Sequence, residues 1–410
     1  MPRINISLVR KILLYSIVVG AIFVSGYSLG AKGFRLEAGS FPKIEIERQT
    51  PANRSDVDFN LFWRVWDTLE ANYYDKSKIN PAAMVYGAIS GMVGAVGDPY
   101  TSFLLPEENK VVEEDLSGSF EGVGIQIGFK GKQLAVIAPL PKSPAEEAGV
   151  KAGDFIVGIL DEANKIDRGT VGISLTDAVK LIRGKAGTKV TLVILRDSSD
   201  EPLKIEIERK KLDVPSVVLE FTGENKSIAH FKVLKFGAET KAEWKKAVNE
   251  VNANKNVKGL IIDLRNNPGG YLQASVDLAS EFVKSGTTIV IEDRSGVKTN
   301  FKSEGIGSFQ NTKTVILVNE GSASASEILA GALRDIKSIK LIGQKTFGKG
   351  TIQEPMQLDK GAGLHITTAR WLTPNETWVN EKGLEPDVVI EDNTETEEDE
   401  QLQKAIELLK

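Results

Sequence analysis

The sequence predicts a multidomain α/β protein, and three patterns along its 410 residues support this. Apolar residues recur at helical intervals from Phe59, short β-rich segments fill residues 113–212, and strands alternate with helices from Val217 onward. The last pattern is typical of a parallel sheet covered by helices. With 41% hydrophobic residues, the chain is long enough to bury several separate cores.

Residues 1–35 contain a segment that fits a membrane anchor. The run from Ile12 to Leu29 is uncharged and mainly apolar. As a helix it would be about 27 Å long, close to the roughly 30 Å of a bilayer core. Leu29-Gly30-Ala31 is a poor cleavage site, so an uncleaved anchor is favoured over a secretory signal. We therefore expect a single-pass protein of the cell membrane whose remainder is extracytoplasmic, with residues 36–58 as a linker.

Composition excludes several classes of function. The net charge of −5 disfavours nucleic-acid binding. The absence of cysteine rules out disulfides, thiol nucleophiles and cysteine metal sites. His230 and His365 are the only histidines, so most functions that depend on several histidines are excluded. No motif implies a metal, a nucleotide or another cofactor.

Changes of pattern predict the domain borders. Residues 59–107 form a helical domain, and residues 213–410 form an α/β domain that ends in an acidic tail. Between them, residues 113–212 fit a sheet of five or six strands with two helices. In the helical domain, Phe62, Trp63 and Trp66 offer an apolar face that suits either a homodimer contact or the domain's own core.

Within the α/β domain, the pattern predicts strands and helices whose ends carry the motifs discussed next. They are a strand over Gly259–Asp263, a helix over Leu272–Val283, a strand over Thr314–Val318 and a helix over Ser324–Arg334.

A serine-rich turn lies between one predicted strand and the next helix. Ser322, Ser324 and Ser326 are all candidates for a nucleophile there. At a strand-to-helix turn the free amides and the dipole of the helix favour negative charge, which suits an oxyanion. The alternative is that these serines only cap the helix, because serine is common at that position.

A serine nucleophile needs a proton acceptor, and lysine is the remaining option because both histidines lie in predicted β segments. A lysine accepts a proton only when neutral, and lowering its pKa from about 10.4 to about 7 requires on the order of 4 to 5 kcal/mol of desolvation or repulsion. Lys345 and Lys349 are the candidates. Lys349 is the better one, since Gly348 and Gly350 let the backbone approach closely.

The same segment resembles the start of a nucleotide-binding P-loop, because Gly343 to Lys349 fits G-x-x-x-x-G-K. Gly350 stands where the magnesium-binding Ser or Thr should be, and the residues after it alternate like a strand. We therefore reject the NTPase interpretation.

A third turn, Pro268-Gly269-Gly270, again joins a predicted strand to a helix. Its bare backbone amides would suit a developing oxyanion, for which acyl transfer needs two converging donors. A plain strand-to-helix turn explains this stretch equally well.

Together these segments resemble the carboxyl-terminal processing proteases, the tail-specific serine peptidases of family S41. The matching stretches run from about Phe59 to the C-terminus and are GAISGMVGAVGDPYTSFL, FEGVGIQIG, SPAEEAGVKAGDFIVGI, IRGKAGTKVTL, LIIDLRNNPGG, GSASASEILAGAL, GQKTFGKGTIQ and GLEPDVVI. The resemblance implies a crotonase/Clp-protease-like α/β protease domain, with residues 113–212 as an inserted PDZ domain.

The resemblance also implies roles for particular residues. Ser324 would be the nucleophile, Lys349 the base and Gln353 the residue that supports the lysine; positions 349, 351 and 353 share one face of a strand. The oxyanion hole would consist of the N–H groups of Gly270 and Ala325, with Gly269 as an alternative to Gly270. Glu327 is given no catalytic role.

The PDZ resemblance assigns substrate-tail binding to a loop and the start of a strand. There, backbone amides would take the terminal carboxylate and the tail would add as a further strand. The residues are Gly122, Val123, Gly124 and Ile125. The alternative for this stretch alone is a plain glycine-bearing strand start.

The leading hypothesis is thus an ATP-independent serine endopeptidase that cleaves near the C-terminus of exported proteins and acts on protein or peptide substrates with exposed tails. One rival is a catalytically silent PDZ adaptor at the membrane. A second is an HtrA-like protease with a Ser-His-Asp triad, which would require His230 or His365.

Overall fold

A computed structural model of the chain describes residues 34–37, 43–46, 58–131, 133–140, 142–173, 175–196, 201–391 and 398–410. The predicted anchor from Ile12 to Leu29 lies outside these residues. Within the described part, no helix is both long and apolar enough to cross a bilayer. The chain divides into two compact units between Val85 and Tyr86.

The first unit contains one predicted helix, the start of a second and an unpredicted pair of strands. Helix α1 covers Asn60–Asn72, and α2 covers Pro81–Gly94 and continues past the division. Strands β1 (Phe34–Glu37) and β2 (Lys43–Ile46) pair antiparallel, so the stretch predicted as a linker contains regular backbone structure. The alternation Lys-Ile-Glu-Ile in β2 is the strand signal that the prediction missed. No residue of α1 is buried, so its aromatic face forms no closed core within the described residues.

The β-rich middle of the chain folds as predicted around one sheet. The sheet has six strands in the order β10-β9-β7-β6-β5, with β8 beside β7. Its own core contains Leu134, Ile159 and Leu192. The elements of this region are β3 (Ser102–Leu104), α3 (Pro106–Ser117), β4 (Ser119–Gly122), β5 (Ile125–Lys130), β6 (Gln133–Pro139), α4 (Pro144–Glu147), β7 (Phe155–Asp161), β8 (Ile166–Gly169), α5 (Leu175–Ile182), β9 (Lys189–Leu195), β10 (Leu203–Glu208) and β11 (Lys210–Asp213).

Helix α3 was not predicted, and both borders placed at residues 107 and 113 fall inside it. Half of its residues are charged and few apolar residues stand at helical spacing, so the apolar period is weak. Pro106 at its first turn and Gly118 in the left-handed region at its end are ordinary helix boundaries.

The C-terminal part contains the predicted parallel sheet. Its strand order is β12-β13-β14-β17-β18-β21, and all neighbours are parallel except β12 and β13. The elements are β12 (Val217–Thr222), β13 (Ile228–Val233), α6 (Thr240–Ala253), β14 (Gly259–Asp263), α7 (Leu272–Ala279), β15 (Thr288–Arg294), β16 (Val297–Lys302), β17 (Lys313–Val318), α8 (Ala325–Lys337), β18 (Lys340–Gly343), β19 (Thr351–Gln357), β20 (Gly363–Leu372), β21 (Val388–Val389) and α9 (Glu400–Leu409).

Both faces of the parallel sheet are covered, which is why every residue of β14 is buried. One face packs in a large cluster that includes Trp244 of α6 and Leu329 of α8. The other face packs against Ala405 and Leu409 of α9, the helix at the C-terminal end of the chain.

A second sheet, in the order β16-β15-β20-β19 with β3 beside β20, is antiparallel and was not predicted. It contains two hairpins, β15-β16 and β19-β20, whose strands are neighbours in sequence. The hairpins pair with each other and with β3 over long sequence separations, which no local pattern predicts.

Neighbouring parallel strands end at the same edge of a sheet. Because β14, β17 and β18 are neighbours, the loops that follow them come together. Those loops carry the glycine turn, the serine turn and the Lys349 segment.

Candidate active site

The three candidate serines have different environments. The Ser322 hydroxyl donates to the Leu264 carbonyl at 2.8 Å and the Ser326 hydroxyl donates to the Asn267 carbonyl at 2.9 Å, and both side chains are fully buried. Among the described residues, the Ser324 hydroxyl donates to no acceptor, and Ser324 lines a cavity of about 330 Å³. The flanking serines therefore tie the serine turn to the glycine turn, while Ser324 is available for chemistry.

Ser324 also has an unusual backbone conformation. Its φ is 53° and its ψ is −113°, a region that glycine normally occupies, and it immediately precedes α8. Such strain at a strand-to-helix turn is typical of a nucleophile elbow, which projects the serine away from the sheet.

The glycine turn distinguishes the two candidate amides. The Gly269 N–H donates to Oδ1 of Asn267 at 2.9 Å. The N–H groups of Gly270 and Ala325 have no acceptor among the residues that the structure describes. Gly270 lines the same cavity as Ser324. Of the two glycines, Gly270 is thus the one with a free donor.

Position 269 requires glycine because the side chain of Ser324 and the backbone of Ala325 lie directly against it. A Cβ atom on Gly269, whose φ is 102°, would lie 2.9 Å from Ser324 Cβ and 3.0 Å from Ala325 N. Any side chain would push the two turns apart.

The Lys349 backbone is held from both sides. Its N–H donates to Oε2 of Glu327 at 2.9 Å, and its carbonyl accepts from Nε1 of Trp371 at 2.8 Å. The flanking glycines pack closely, as predicted: a Cβ on Gly350 would lie 2.7 Å from Asn380 N. The residues after Gly350 form β19, not the helix of a P-loop.

The side chain of Lys349 is half-buried beside an aromatic ring. Nζ lies 5.0 Å from the centroid of the Tyr100 ring. Within the described ranges, no hydrogen bond or ion pair engages this ammonium. Burial lowers the pKa of Lys349, and the negative charge of Asp98 opposes this effect only in part. This is the direction that a lysine base requires.

Lys349 and Ser324 line the same cavity but are not hydrogen-bonded to each other. Gln353 lines it too, yet its amide donates to Oγ1 of Thr351 at 2.8 Å and to Oγ1 of Thr367 at 3.3 Å rather than contacting Lys349. The register of β19 against β20 shifts between Ile352 and Gln353, which interrupts the simple alternation assumed from the sequence.

Glu327, which was given no catalytic role from the sequence, is a central residue of this site. Its carboxylate is fully buried and accepts from the N–H groups of Ser324 (3.0 Å), Gly348 (2.8 Å) and Lys349 (2.9 Å) and from Oγ1 of Thr346 (2.5 Å). Burial raises the pKa of Glu327, and these hydrogen bonds oppose the rise. The Ser-x-x-Glu spacing of a capping box was the signal that could have identified it.

The two histidines lie in different places. His230 is buried on β13, and its Nε2 is 3.2 Å from Oδ2 of Asp263. His365 lines the cavity, and burial together with the charge of Lys349 lowers its pKa. Neither histidine is hydrogen-bonded to Ser324 in the described structure. No group of three or more His, Asp or Glu side chains among the described residues is placed to hold a metal ion.

The predicted tail-binding segment borders an apolar groove of about 130 Å³. Val123, Gly124 and Ile125 line it, whereas Gly122 ends the neighbouring strand β4 and does not. The N–H groups of Val123 and Gly124 have no acceptor among the described residues. Strand β5 is the edge of its sheet, and Val179 of α5 forms the opposite wall. A free edge beside free amides can accept an added strand with a terminal carboxylate.

Comparisons with known proteins agree with this organisation. The family model "Peptidase family S41" matches residues 227–390, and the model "PDZ domain" matches residues 136–196. The carboxy-terminal processing protease CtpA of Bacillus subtilis (strain 168) is 33% identical over 381 residues, which are 92% of this chain and 77% of that protein. A probable CtpA-like serine protease of Staphylococcus epidermidis (strain ATCC 12228 / FDA PCI 1200) is 35% identical over 354 residues, 86% of this chain and 68% of that protein.

Among solved structures, the photosystem II D1 C-terminal processing protease is similar to this chain. It is 30% identical with a TM-score of 0.53, and the match covers 84% of this chain and 95% of that one.

Proposed function

The chain belongs to peptidase family S41 and is a carboxy-terminal processing protease that hydrolyses peptide bonds, and we propose that Ser324 is its nucleophile and Lys349 its general base. One observation carries this proposal. The loops after three neighbouring parallel strands bring Ser324, Lys349 and Gly270 to one cavity.

In the proposed reaction, neutral Lys349 takes the proton of the Ser324 hydroxyl as Oγ attacks the substrate carbonyl carbon. The carbonyl π electrons move to oxygen, and the N–H groups of Gly270 and Ala325 stabilise the resulting oxyanion. When the intermediate collapses, the C–N bond breaks and Lys349 returns the proton to the leaving amine. Water then attacks the acyl-enzyme carbonyl carbon while Lys349 takes its proton; the bond from that carbon to Ser324 Oγ breaks, the carboxylic acid leaves, and Lys349 returns the proton to Oγ.

Gln353 is proposed to orient Lys349 once substrate is bound, since it lines the same cavity. This role requires its amide to leave Thr351 and Thr367, its present partners.

The PDZ groove is proposed to hold the substrate's C-terminal tail. The free amides of Val123 and Gly124 suit the carboxylate, and the edge of β5 suits the extended backbone. Amidation of a substrate's terminal carboxylate should therefore raise KM about tenfold or more while leaving kcat near its original value, as measured by steady-state cleavage. An unchanged KM would contradict tail capture.

Export, membrane attachment and self-association remain proposals. The apolar run 12–29 supports a membrane anchor with the protease on the extracytoplasmic side. The exposed apolar side of α1, which includes Leu61 (60% exposed) and Val65 (51% exposed), supports a homodimer. Cell fractionation with external protease digestion tests the first proposal. Sedimentation of the full chain against a Val65→Glu variant tests the second, and a monomeric parent protein would refute it.

The catalytic assignment is tested by mass spectrometry of a digest of an unstructured protein substrate. Ser324→Ala and Lys349→Ala should each lower kcat at least about a thousandfold. Lys345→Ala is the matched control, because Lys345 is exposed and paired with Glu385, and it should cleave normally. Cleavage by Ser324→Ala at the normal rate would reject the assignment. Loss of activity in His230→Ala or His365→Ala, with Lys349→Ala still active, would favour a histidine base.

A further inference from the structure

The segment before β3 places an aromatic ring against the proposed base. Tyr100 is the partner of the half-buried Lys349 ammonium, at 5.0 Å from Nζ to the ring centroid. A cation within about 6 Å of an aromatic ring face is attracted by the negative face of the ring.

Hydrogen bonds hold the backbone of the turn that carries Tyr100. Its N–H donates to Oδ1 of Asp98 at 3.1 Å, and Oγ1 of Thr101 donates to Oδ2 of the same carboxylate at 2.6 Å. The N–H of Thr367, on β20, donates to Oγ1 of Thr101 at 3.1 Å. In β3, Ser102 pairs with His365, a cavity residue. The turn that carries Tyr100 is thus anchored to the strand that lines the active-site cavity.

We propose that Tyr100 is a positioning residue for Lys349, whose ring face stabilises the ammonium that forms when Lys349 accepts the proton of Ser324. This inference rests on the proposed Ser324 and Lys349 roles. A carboxylate in direct contact would keep Lys349 protonated in the resting enzyme and so prevent it from acting as a base. The weaker attraction of a ring leaves the neutral form accessible and still stabilises the cation after proton transfer.

Several ionisable groups surround Tyr100 and Lys349. The experiment must therefore separate the effect of the ring from the titration of these groups. Carboxylates approach from the turn, from α8 and from α3, and an imidazole approaches from β20. Burial raises the pKa of the Tyr100 hydroxyl, and the negative charges of Glu327, Glu381 and Asp98 raise it further. These groups are Asp98, Glu327, Asp115, His365 and Glu381.

The test compares kcat/KM of the full chain across pH for wild type, Tyr100→Phe and Tyr100→Leu. Tyr100→Phe keeps the ring, so its activity should be within about twofold of wild type and its profile unchanged. Tyr100→Leu should lower kcat about tenfold with KM within about twofold. It should also move the acidic limb of the profile to lower pH, because an ammonium without the ring loses its proton more readily.

A second variant guards against misfolding of Tyr100→Leu. Pentafluorophenylalanine at position 100 keeps the shape of the Tyr100→Phe side chain but removes the negative ring face, and it should reproduce the loss seen with leucine. If this variant matches Tyr100→Phe, or if Tyr100→Phe loses as much activity as Tyr100→Leu, the proposal is overturned. Lys349→Ala separates the two levels of the argument: normal activity in that variant would refute the lysine base itself.

Discussion

At the scale of single residues, Glu327 connects the two halves of the candidate active site. One buried carboxylate accepts hydrogen bonds from the backbone N–H groups of both Ser324 and Lys349. A carboxylate has only acceptors, so it can satisfy several donors at once. The spacing between the serine turn and the lysine segment therefore depends on this side chain.

Glu327→Gln is expected to lower kcat at least about tenfold, because the amide group presents donors where the backbone also donates. Leaving buried donors unpaired should also reduce the free energy of unfolding by about 1–3 kcal/mol. Steady-state kinetics and urea unfolding measure the two effects. Glu320→Gln, on an exposed residue of the preceding loop, is the control. Unchanged kcat and stability in Glu327→Gln would contradict the connecting role.

At the scale of elements, α5 forms a wall of the proposed tail groove and is held at its C-terminal end by a buried arginine. The Arg209 guanidinium donates to the carbonyls of Ile182 at 2.8 Å and Leu181 at 3.0 Å, and it pairs with Asp161 at 2.9 Å. The last carbonyls of a helix have no partner within the helix, so Arg209 satisfies groups that would otherwise be buried unpaired.

Arg209→Met should destabilise the PDZ domain by about 3–5 kcal/mol, because it leaves the buried Asp161 carboxylate without its cation. Faster amide exchange in α5 and weaker binding of tail peptides are the expected observations. Arg168→Met removes an exposed arginine of β8 and should change neither. Full retention of exchange protection in Arg209→Met would show that α5 does not depend on this contact.

At the scale of the whole molecule, the C-terminal helix is tied to the start of the glycine turn. Arg265 follows β14, and its guanidinium pairs with both Asp263 and Asp399, the residue that caps α9. Burial alone would raise the pKa of Asp263, but hydrogen bonds from His230 and Arg265 outweigh it and lower this pKa to about 2.

Because the folded-state pKa of Asp263 is below the unfolded value of 3.8, its contribution is full above about pH 4 and is lost as pH falls toward 2. The shift corresponds to about 2 kcal/mol of the free energy of unfolding. Denaturant unfolding between pH 5 and pH 2 should show this loss in the parent protein and a flatter dependence in Asp263→Asn. Asp359→Asn, on an exposed turn, should keep the parent slope. Equal slopes in the parent and in Asp263→Asn would contradict the assignment.

Much of the fold was predictable because its signals are local. The helical spacing from Phe59 and the buried run Gly259–Asp263 each identify an element without reference to the rest of the chain. Helix α3 and the antiparallel sheet were missed because the signal of the first is weak and that of the second is not local. The first has a weak apolar period, and the second pairs strands as distant as β3 and β20.

The sequence by itself determined the candidate residues, since a strand-to-helix turn, a glycine-flanked lysine and a glycine turn are local patterns. Only the tertiary structure decided which amide is free: the N–H of Gly269 donates to Asn267, whereas the N–H of Gly270 has no acceptor among the described residues. It also decided that Glu327 joins Ser324 to Lys349 and that Tyr100 lies against the lysine. Contacts between separate turns depend on how the strands stack beside one another, and no local pattern contains that information.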